Sequence, residues 1–251
     1  MNDDVSTLAE WIADSPSTVF FGGAGVSTES GIPDFRGANG FYFQEREIPL
    51  ETVLSIDFFE RHPQAYWEWF HEIYRPVEPN GAHRALAALE ASGHLDAVIT
   101  QNIDGLHQRA GSRAVWELHG NWERLVCTDC GAVTALADAV TIDGDPVPAC
   151  PSCASQMRPD IVMYGEGLDQ GVIEAAVTAI SRASVLIVAG TSLVVYPAAG
   201  LIDYFSGDHL VLINATPTSA DAHADLIIRE PVARTFDQVM EELRARGVVP
   251  A

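Results

Sequence analysis

Two cysteine pairs, Cys127-Thr-Asp-Cys130 and Cys150-Pro-Ser-Cys153, stand nineteen residues apart and constrain this chain more than any other feature. Each CxxC makes a tight knuckle, and two knuckles at this spacing can converge on one tetrahedral ion. Disulfide pairing and a redox CxxC are the competing readings, but the chain shows no secretory signal, so a zinc ion is the better account. Four thiolates close the coordination shell, so the metal is structural: it ties down a segment too poor in apolar residues to fold alone. A zinc ribbon can also bind nucleic acid. Here Arg124 and Arg158 stand against Glu123, Asp129, Asp138, Asp143, Asp145 and Asp160, and the whole chain carries a net charge of -21, which would repel a phosphate backbone or an anionic membrane.

The other signal, spread over all 251 residues, is alternation. A helical face of Leu8, Trp11 and Ile12, started by a capping box of Thr7 and Glu10, precedes the apolar run 18–21. Further short apolar runs at 97–100, 115–118, 185–190, 209–214 and 225–228 read as buried parallel strands, with helical patterns at 84–91, 170–182, 198–205 and 236–246. That is the pattern of an α/β chain: a Rossmann-like doubly wound parallel sheet, with ligands at the carboxyl ends of the strands. Residues 41–81, aromatic-rich and helical, and 122–158, holding the cysteines, break the alternation. They read as a helical module and a zinc-ribbon module of a smaller inserted domain, leaving 1–40, 82–121 and 159–251 to the Rossmann-like part. No apolar run is long enough to cross a bilayer, and the first twenty residues are acidic where a secretory leader is basic, so a cytoplasmic protein is expected.

The first strand runs straight into Gly22-Gly23-Ala24-Gly25, a turn that lets backbone N–H groups approach a pyrophosphate. A hydride-transfer enzyme would want a small residue where Thr28 stands and an acid closing a second strand about twenty positions on, and this chain has no acid at such a strand end. The loop Ser30-Gly31-Ile32-Pro33-Asp34-Phe35-Arg36-Gly37 could close over a ligand or be an ordinary stiff turn. Two strand ends then bring Gln101-Asn102-Ile103-Asp104 and His119-Gly120 to one rim. His119 is the best general base of the set, because an imidazole with a pKa near 6.5 suits proton abstraction at neutral pH. His62, His83 and His107, without a converging partner in the sequence, read as structural.

Taken in order, residues 23–37, Thr100-Gln-Asn-Ile-Asp-Gly-Leu-His107, His119-Gly120, the paired CxxC motifs, Gly190-Thr-Ser192 and Asn214 closely resemble the sirtuin family of NAD-dependent protein deacylases. The likeness covers nearly the whole chain. It implies that Gly23, Ala24, Gly25 and Thr28 cradle the NAD pyrophosphate with Arg36, and that Asp34 and Phe35 lie in a loop over the nicotinamide ribose. Asn102, Ile103 and Asp104 would line the nicotinamide pocket, and Gln101 with His119 would address the ribose hydroxyls. Gly190, Thr191, Ser192, Asn214 and Val232 would hold the adenosine half. An acetylated lysine-containing protein or peptide would enter as a strand between Gly165-Glu166 and Val194-Val195. Val162 and Tyr164 would wall the acyl-lysine tunnel; many relatives carry phenylalanine at the latter position.

The activity so implied is NAD-dependent removal of acetyl groups from lysine, giving nicotinamide, free lysine and O-acetyl-ADP-ribose, with His119 as the base. Relatives that remove acidic acyl groups carry a tyrosine and an arginine three apart, where this chain has Phe70 and Ile73. The rivals are an ADP-ribosyltransferase using the same pocket and a silent NAD-binding or zinc-ribbon scaffold. Last, 35 acidic residues against 14 basic ones, every one of them arginine, point to a cytoplasm of high salt, or to an acidic protein of the ordinary kind.

Overall fold

A computed structural model of the chain describes residues 3–33, 48–141 and 145–250. Its centre is a six-stranded parallel sheet built from β1 (Thr18–Gly22), β2 (Ala97–Thr100), β3 (Val115–Glu117), β9 (Val185–Ala189), β10 (His209–Ile213) and β11 (Leu226–Ile228). The order β11-β10-β9-β1-β2-β3 reverses direction between β9 and β1, so the carboxyl ends of these two neighbours open a crevice at the switch point. β1, β2 and β9 are buried at every position. That double-sided burial is why they read as unbroken apolar runs with no alternation.

One face of the sheet is covered by α1 (Asp3–Asp14), α5 (Gly81–Ala91) and α8 (Val232–Ala245), whose Leu8, Ile12, Leu86, Leu89, Phe236, Val239 and Leu243 form a continuous core with Phe20 and Val98. The other face is covered by α7 (Gln170–Arg182) and a 3₁₀ segment, Ala198–Tyr204, which bury Ala176, Ile180 and Leu201 against Phe21, Leu186 and Leu212. The expected α-helix at 198–205 is therefore wound more tightly, in a short stretch that opens after Pro197 and holds Gly200.

Thr7 does not cap α1. Its Oγ1 donates to the Asp3 carbonyl at 2.9 Å from inside a helix that starts four residues earlier, with Asp3 and Asp4 placed where the helix dipole favours acids. α5 is capped reciprocally: the Asn80 Oδ1 accepts from the Ala82 N–H at 2.9 Å, while the Asn80 N–H donates to Nδ1 of His83 at 3.2 Å. α6 (Leu106–Ala110) links β2 to β3.

The remaining elements gather around a third core. The short helices α2 (Leu50–Val53), α3 (Ile56–Arg61) and α4 (Pro63–Ile73) lie beside an antiparallel sheet of order β5-β4-β8, from β4 (Gly120–Cys127), β5 (Val133–Ala135) and β8 (Met157–Ile161). A two-stranded ribbon, β6 (Val140–Thr141) with β7 (Pro148–Ala149), extends it. Phe59, Tyr66, Trp67 and Phe70 bury their rings against Leu125, Met157, Ile161 and Met163, along with Cys127 and Cys150. Among the described residues no helix is long and apolar enough to cross a membrane.

Candidate active site

The crevice is shaped first by glycines. The Gly23 N–H donates to Ala189 O at 3.1 Å and the Gly25 N–H to Gly190 O at 2.8 Å, so the turns after β1 and β9 run in direct backbone contact. A Cβ on Gly25 would lie 2.7 Å from Gly190 Cα, and Gly190 itself takes φ +59°, so neither position accommodates a side chain without moving the other turn. Thr28 Oγ1 closes the turn on Gly25 O at 3.0 Å. The segment is wound as two 3₁₀ turns, Ala24–Val26 and Thr28–Ser30. From the second, the Glu29 carboxylate accepts from the Ala233 N–H at 2.8 Å, which ties the turn to the start of α8 beside buried Val232.

The end of β2 supplies the polar cluster. Gln101 donates from Nε2 to Thr191 Oγ1 at 3.0 Å, bridging the two sides of the crevice. Asn102 Nδ2 donates to Ser27 Oγ at 3.1 Å, and Ser27 Oγ donates to Asp104 Oδ2 at 2.6 Å; the other Asp104 oxygen accepts from the Leu106 N–H at 3.0 Å. Burial pushes the Asp104 carboxyl above its usual value, against the lowering pull of Ser27 and Leu106. Because Nδ1 of His83 accepts from the Asn80 N–H, its Nε2 carries the proton and points at Ser27 Oγ, 3.5 Å away. Ile103 sits half-buried in the same turn, against the third core.

His119 follows β3. Its Nδ1 lies 2.8 Å from the Gln101 carbonyl, which can only accept, so Nδ1 holds the proton and Nε2 keeps its lone pair. Burial pushes its pKa below the usual value, against the raising effect of that carbonyl. The ring is thus a neutral base at neutral pH. The backbone carbonyl of His119 also accepts from the Val162 N–H at 2.9 Å, which seats the 162–166 segment against the strand end that carries the imidazole.

That segment, 162–166, is pinned along its length. The Tyr164 N–H donates to Leu54 O at 2.9 Å, Tyr164 O accepts from the Ile56 N–H at 3.0 Å, and the Glu166 N–H donates to Met163 O at 3.0 Å. Tyr164 is exposed, as is Val194, while Val195 is half-buried. The loop carrying the last two is set by Leu193, which takes φ +53°, a strained value for a branched side chain, and donates its N–H to Thr191 Oγ1 at 3.2 Å. Ser192 is half-buried in that loop. At the far end, Asn214 Nδ2 donates to Thr216 O at 2.8 Å, and Arg229 donates to the carbonyls of both Asn214 and Thr216 at 3.0 Å. Asp34, Phe35 and Arg36 lie outside the described residues.

The four cysteines converge. Their Sγ atoms all fall within 4.8 Å of one another, with separations of 3.5 Å for Cys127–Cys153 and Cys130–Cys153 and 3.7 Å for Cys130–Cys150. A disulfide needs about 2.05 Å. A tetrahedron of sulfurs about 2.3 Å from zinc has edges of about 3.8 Å, close to these values. The N–H groups of Asp129 and Cys130 point at the Cys127 sulfur and that of Ser152 at Cys150, as thiolates require. The cluster fits one closed, structural zinc. Both basic residues of this region are already engaged: Arg124 with Glu117 and Asp160, Arg158 with Glu166.

Sequence reasoning left out Ser27, Asn80, Glu29 and Arg229, and read His83 as structural. The signal for His83 was present as Asn80-Gly-Ala-His83, a capping box with histidine in place of the acid. Nothing in the sequence joins it to Ser27, 56 positions away.

These features define an α/β dinucleotide-binding protein with a closed site of four cysteines and an imidazole held after β3 by the Gln101 carbonyl. A model of the Sir2 family matches residues 23–197, and the chain belongs to that family. It is 49% identical over 246 residues to the NAD-dependent protein deacetylase of Clostridium perfringens, covering 96% of this chain and 100% of the relative. It is 46% identical over 235 residues to that of Thermotoga maritima, covering 91% and 94%. Among solved structures, a Sir2 protein with a deacetylated p53 peptide and 3′-O-acetyl ADP-ribose superposes at a TM-score of 0.87 with 42% identity, covering 98% of this chain and 99% of that one. A Sir2–p53 peptide–NAD⁺ structure does so at 0.84 with 43% identity, covering 95% and 98%.

Proposed function

We infer that this chain is an NAD-dependent protein-lysine deacetylase. Its full-length relatives carry that name, and solved structures of the family hold an acetylated peptide, NAD⁺ or the acetylated ADP-ribose product. The observation that carries the reading is His119, neutral and held with its Nε2 lone pair free at the rim of the glycine-lined crevice.

Bound NAD supplies the ribose that receives the acetyl group as nicotinamide leaves. The chain's part is to bind, orient and move one proton. In our assignment Gly23, Ala24, Gly25 and Thr28 with Arg36 hold the pyrophosphate; Asn102, Ile103 and Asp104, braced by Ser27 and His83, hold the nicotinamide amide. Gln101 orients the ribose, Gly190, Thr191, Ser192, Asn214 and Val232 hold the adenosine half, Asp34 and Phe35 belong to the loop over the nicotinamide ribose, and Phe35 shields the reacting carbon. Val162, Tyr164, Gly165, Glu166, Val194 and Val195 form the peptide groove. Nε2 of His119 accepts the proton of a ribose hydroxyl. Incubating labelled NAD with an acetyl-lysine peptide tests this: acetyl loss with label in the small-molecule product supports it, whereas label on protein would indicate an ADP-ribosyltransferase.

We further propose the domain division 1–40, 82–121 and 159–251 against 41–81 and 122–158, on the strength of a third core separate from the two that flank the sheet. We also propose a cytoplasmic enzyme adapted to high salt, supported by the excess of acids and the absence of lysine. Repulsion among surface carboxylates reaches over about 10 Å at 0.1 M salt and only about 3 Å near 1 M, so the folded state gains stability as salt rises. A thermal midpoint that stays flat between about 0.1 and about 3 M KCl, with sucrose as the control for surface exclusion, would remove the basis for this.

A further inference from the structure

Arg158 lies on β8, outside the groove and outside the cofactor crevice, yet it reaches the groove's edge. Its guanidinium grips the Glu166 carboxylate with both arms, Nη1 to Oε1 at 2.7 Å and Nη2 to Oε2 at 2.6 Å, and Nη2 also donates to Ile161 O at 2.9 Å. The same Glu166 Oε2 accepts from the Met163 N–H at 2.8 Å, while the Glu166 N–H returns to Met163 O at 3.0 Å. Side chain and backbone of Glu166 thus close a ring around Met163, Tyr164 and Gly165. Gly165 sits at φ +96°, a conformation it adopts without the penalty a Cβ would bring. The pair is mostly shielded, with 16% and 27% of the side chains exposed, and the guanidinium carbon lies 5.8 Å from the centre of the Phe59 ring. A forked, partly desolvated ion pair of this kind fixes direction as well as distance.

We propose that Arg158 is a positioning residue for peptide capture: acting through Glu166, it sets the direction of the Gly165–Glu166 backbone onto which the incoming peptide adds as a strand. This rests on the groove assignment above. Strand addition needs donors and acceptors aimed in register before the peptide arrives, since its affinity comes from main-chain hydrogen bonds. The 162–166 segment is not part of a regular sheet, and its first half is fixed by His119, Leu54 and Ile56. Its second half is held by the ring that Glu166 closes on Met163, and the Arg158–Glu166 clasp fixes the direction of the carboxylate in that ring. The clasp leaves the NAD crevice untouched, so its loss falls on the peptide and not on the dinucleotide.

The test uses the zinc-loaded full chain and steady-state kinetics with an acetyl-lysine peptide and NAD varied separately, for Arg158→Met, Arg158→Lys, Glu166→Gln, the Arg158→Met/Glu166→Gln double variant and Gly165→Ala. Arg158→Met is expected to raise the peptide KM about tenfold or more with the NAD KM within about twofold. Arg158→Lys recovers part of the loss, Glu166→Gln reproduces part of it while keeping its Met163 contact, and the double variant is no worse than Arg158→Met, because both act through one clasp. A peptide KM that Arg158→Met leaves unchanged while Gly165→Ala raises it overturns the proposal and leaves the groove standing. If neither variant moves it, the groove assignment itself is wrong. Equal rises in both KM values, or additive losses in the double variant, would make Arg158 a general stabiliser and also overturn the proposal.

Discussion

The Nδ1 atom of His119 lies 2.8 Å from the carbonyl oxygen of Gln101, a residue whose amide also bonds Thr191 across the crevice. The contact fixes the imidazole tautomer and ties His119 to the backbone of the residue whose side chain is assigned to the ribose. His119→Ala is therefore expected to cut deacetylation by roughly 10²- to 10⁴-fold with the thermal midpoint unchanged. Since burial lowers the pKa of His119, the acid limb of single-turnover rate against pH should fall below about 6.5, the value of a free imidazole. A variant keeping more than about half the wild-type rate would remove His119 from the chemistry.

Much of this was legible beforehand. The strands could be placed because β1, β2 and β9 are buried on both faces and so leave continuous apolar runs. The zinc site could be read because CxxC knuckles are local and their spacing suffices. What escaped was contact between distant segments. Ser27, Asn102, Asp104 and His83 meet only because β1 and β2 are parallel neighbours and α5 packs beneath them, a relationship that no periodicity encodes. Thr7 misled for a local reason: a threonine inside a helix can bond back to the carbonyl four residues earlier, so its presence before an apolar stripe does not mark a helix start.

The buried histidines give the fold an acid limit. His83 is pushed down to about 4 by burial and by Arg84, and His107, packed 4.7 Å from the His83 ring and fully buried, is pushed well below its usual value. Both folded pKa values lie beneath the unfolded value of about 6.5, so the unfolded chain binds more protons as the pH falls through this window. Stability is full above about pH 6.5 and is lost progressively toward pH 4. Thermal midpoints measured across that range should fall steeply, and His107→Phe, which removes one of the two groups, should flatten the slope. An unchanged slope would show that His107 does not stay neutral in the fold.

Zinc removal should act on the fold before the chemistry. Cys127 and Cys150 are buried in the third core beside Leu125 and Met157, so a metal-free quartet would leave four crowded thiols in place of a bonded centre. Cys127→Ala, or a strong chelator, is expected to lower the midpoint and abolish activity together. Metal-free protein that keeps its near-UV signal and its rate would refute a structural role.

Acyl selectivity should favour neutral groups. Phe70 is buried among Trp67, Tyr74 and Trp122, and Ile73 follows on the same helix, so neither supplies a partner for an acyl carboxylate. An unpaired charge in such surroundings costs several kcal/mol, which corresponds to at least about a hundredfold preference for acetyl over succinyl. Equal rates on the two peptides would contradict this.

Acetyl removal by this chain should consume NAD and depend on His119. Mass spectrometry of one acetyl-lysine peptide, incubated with and without NAD and with wild type or His119→Ala, tests it most directly. Loss of acetyl is expected only with NAD and wild-type enzyme, with nicotinamide and O-acetyl-ADP-ribose formed in equal amounts. Acetyl loss without NAD, or undiminished in His119→Ala, would contradict it.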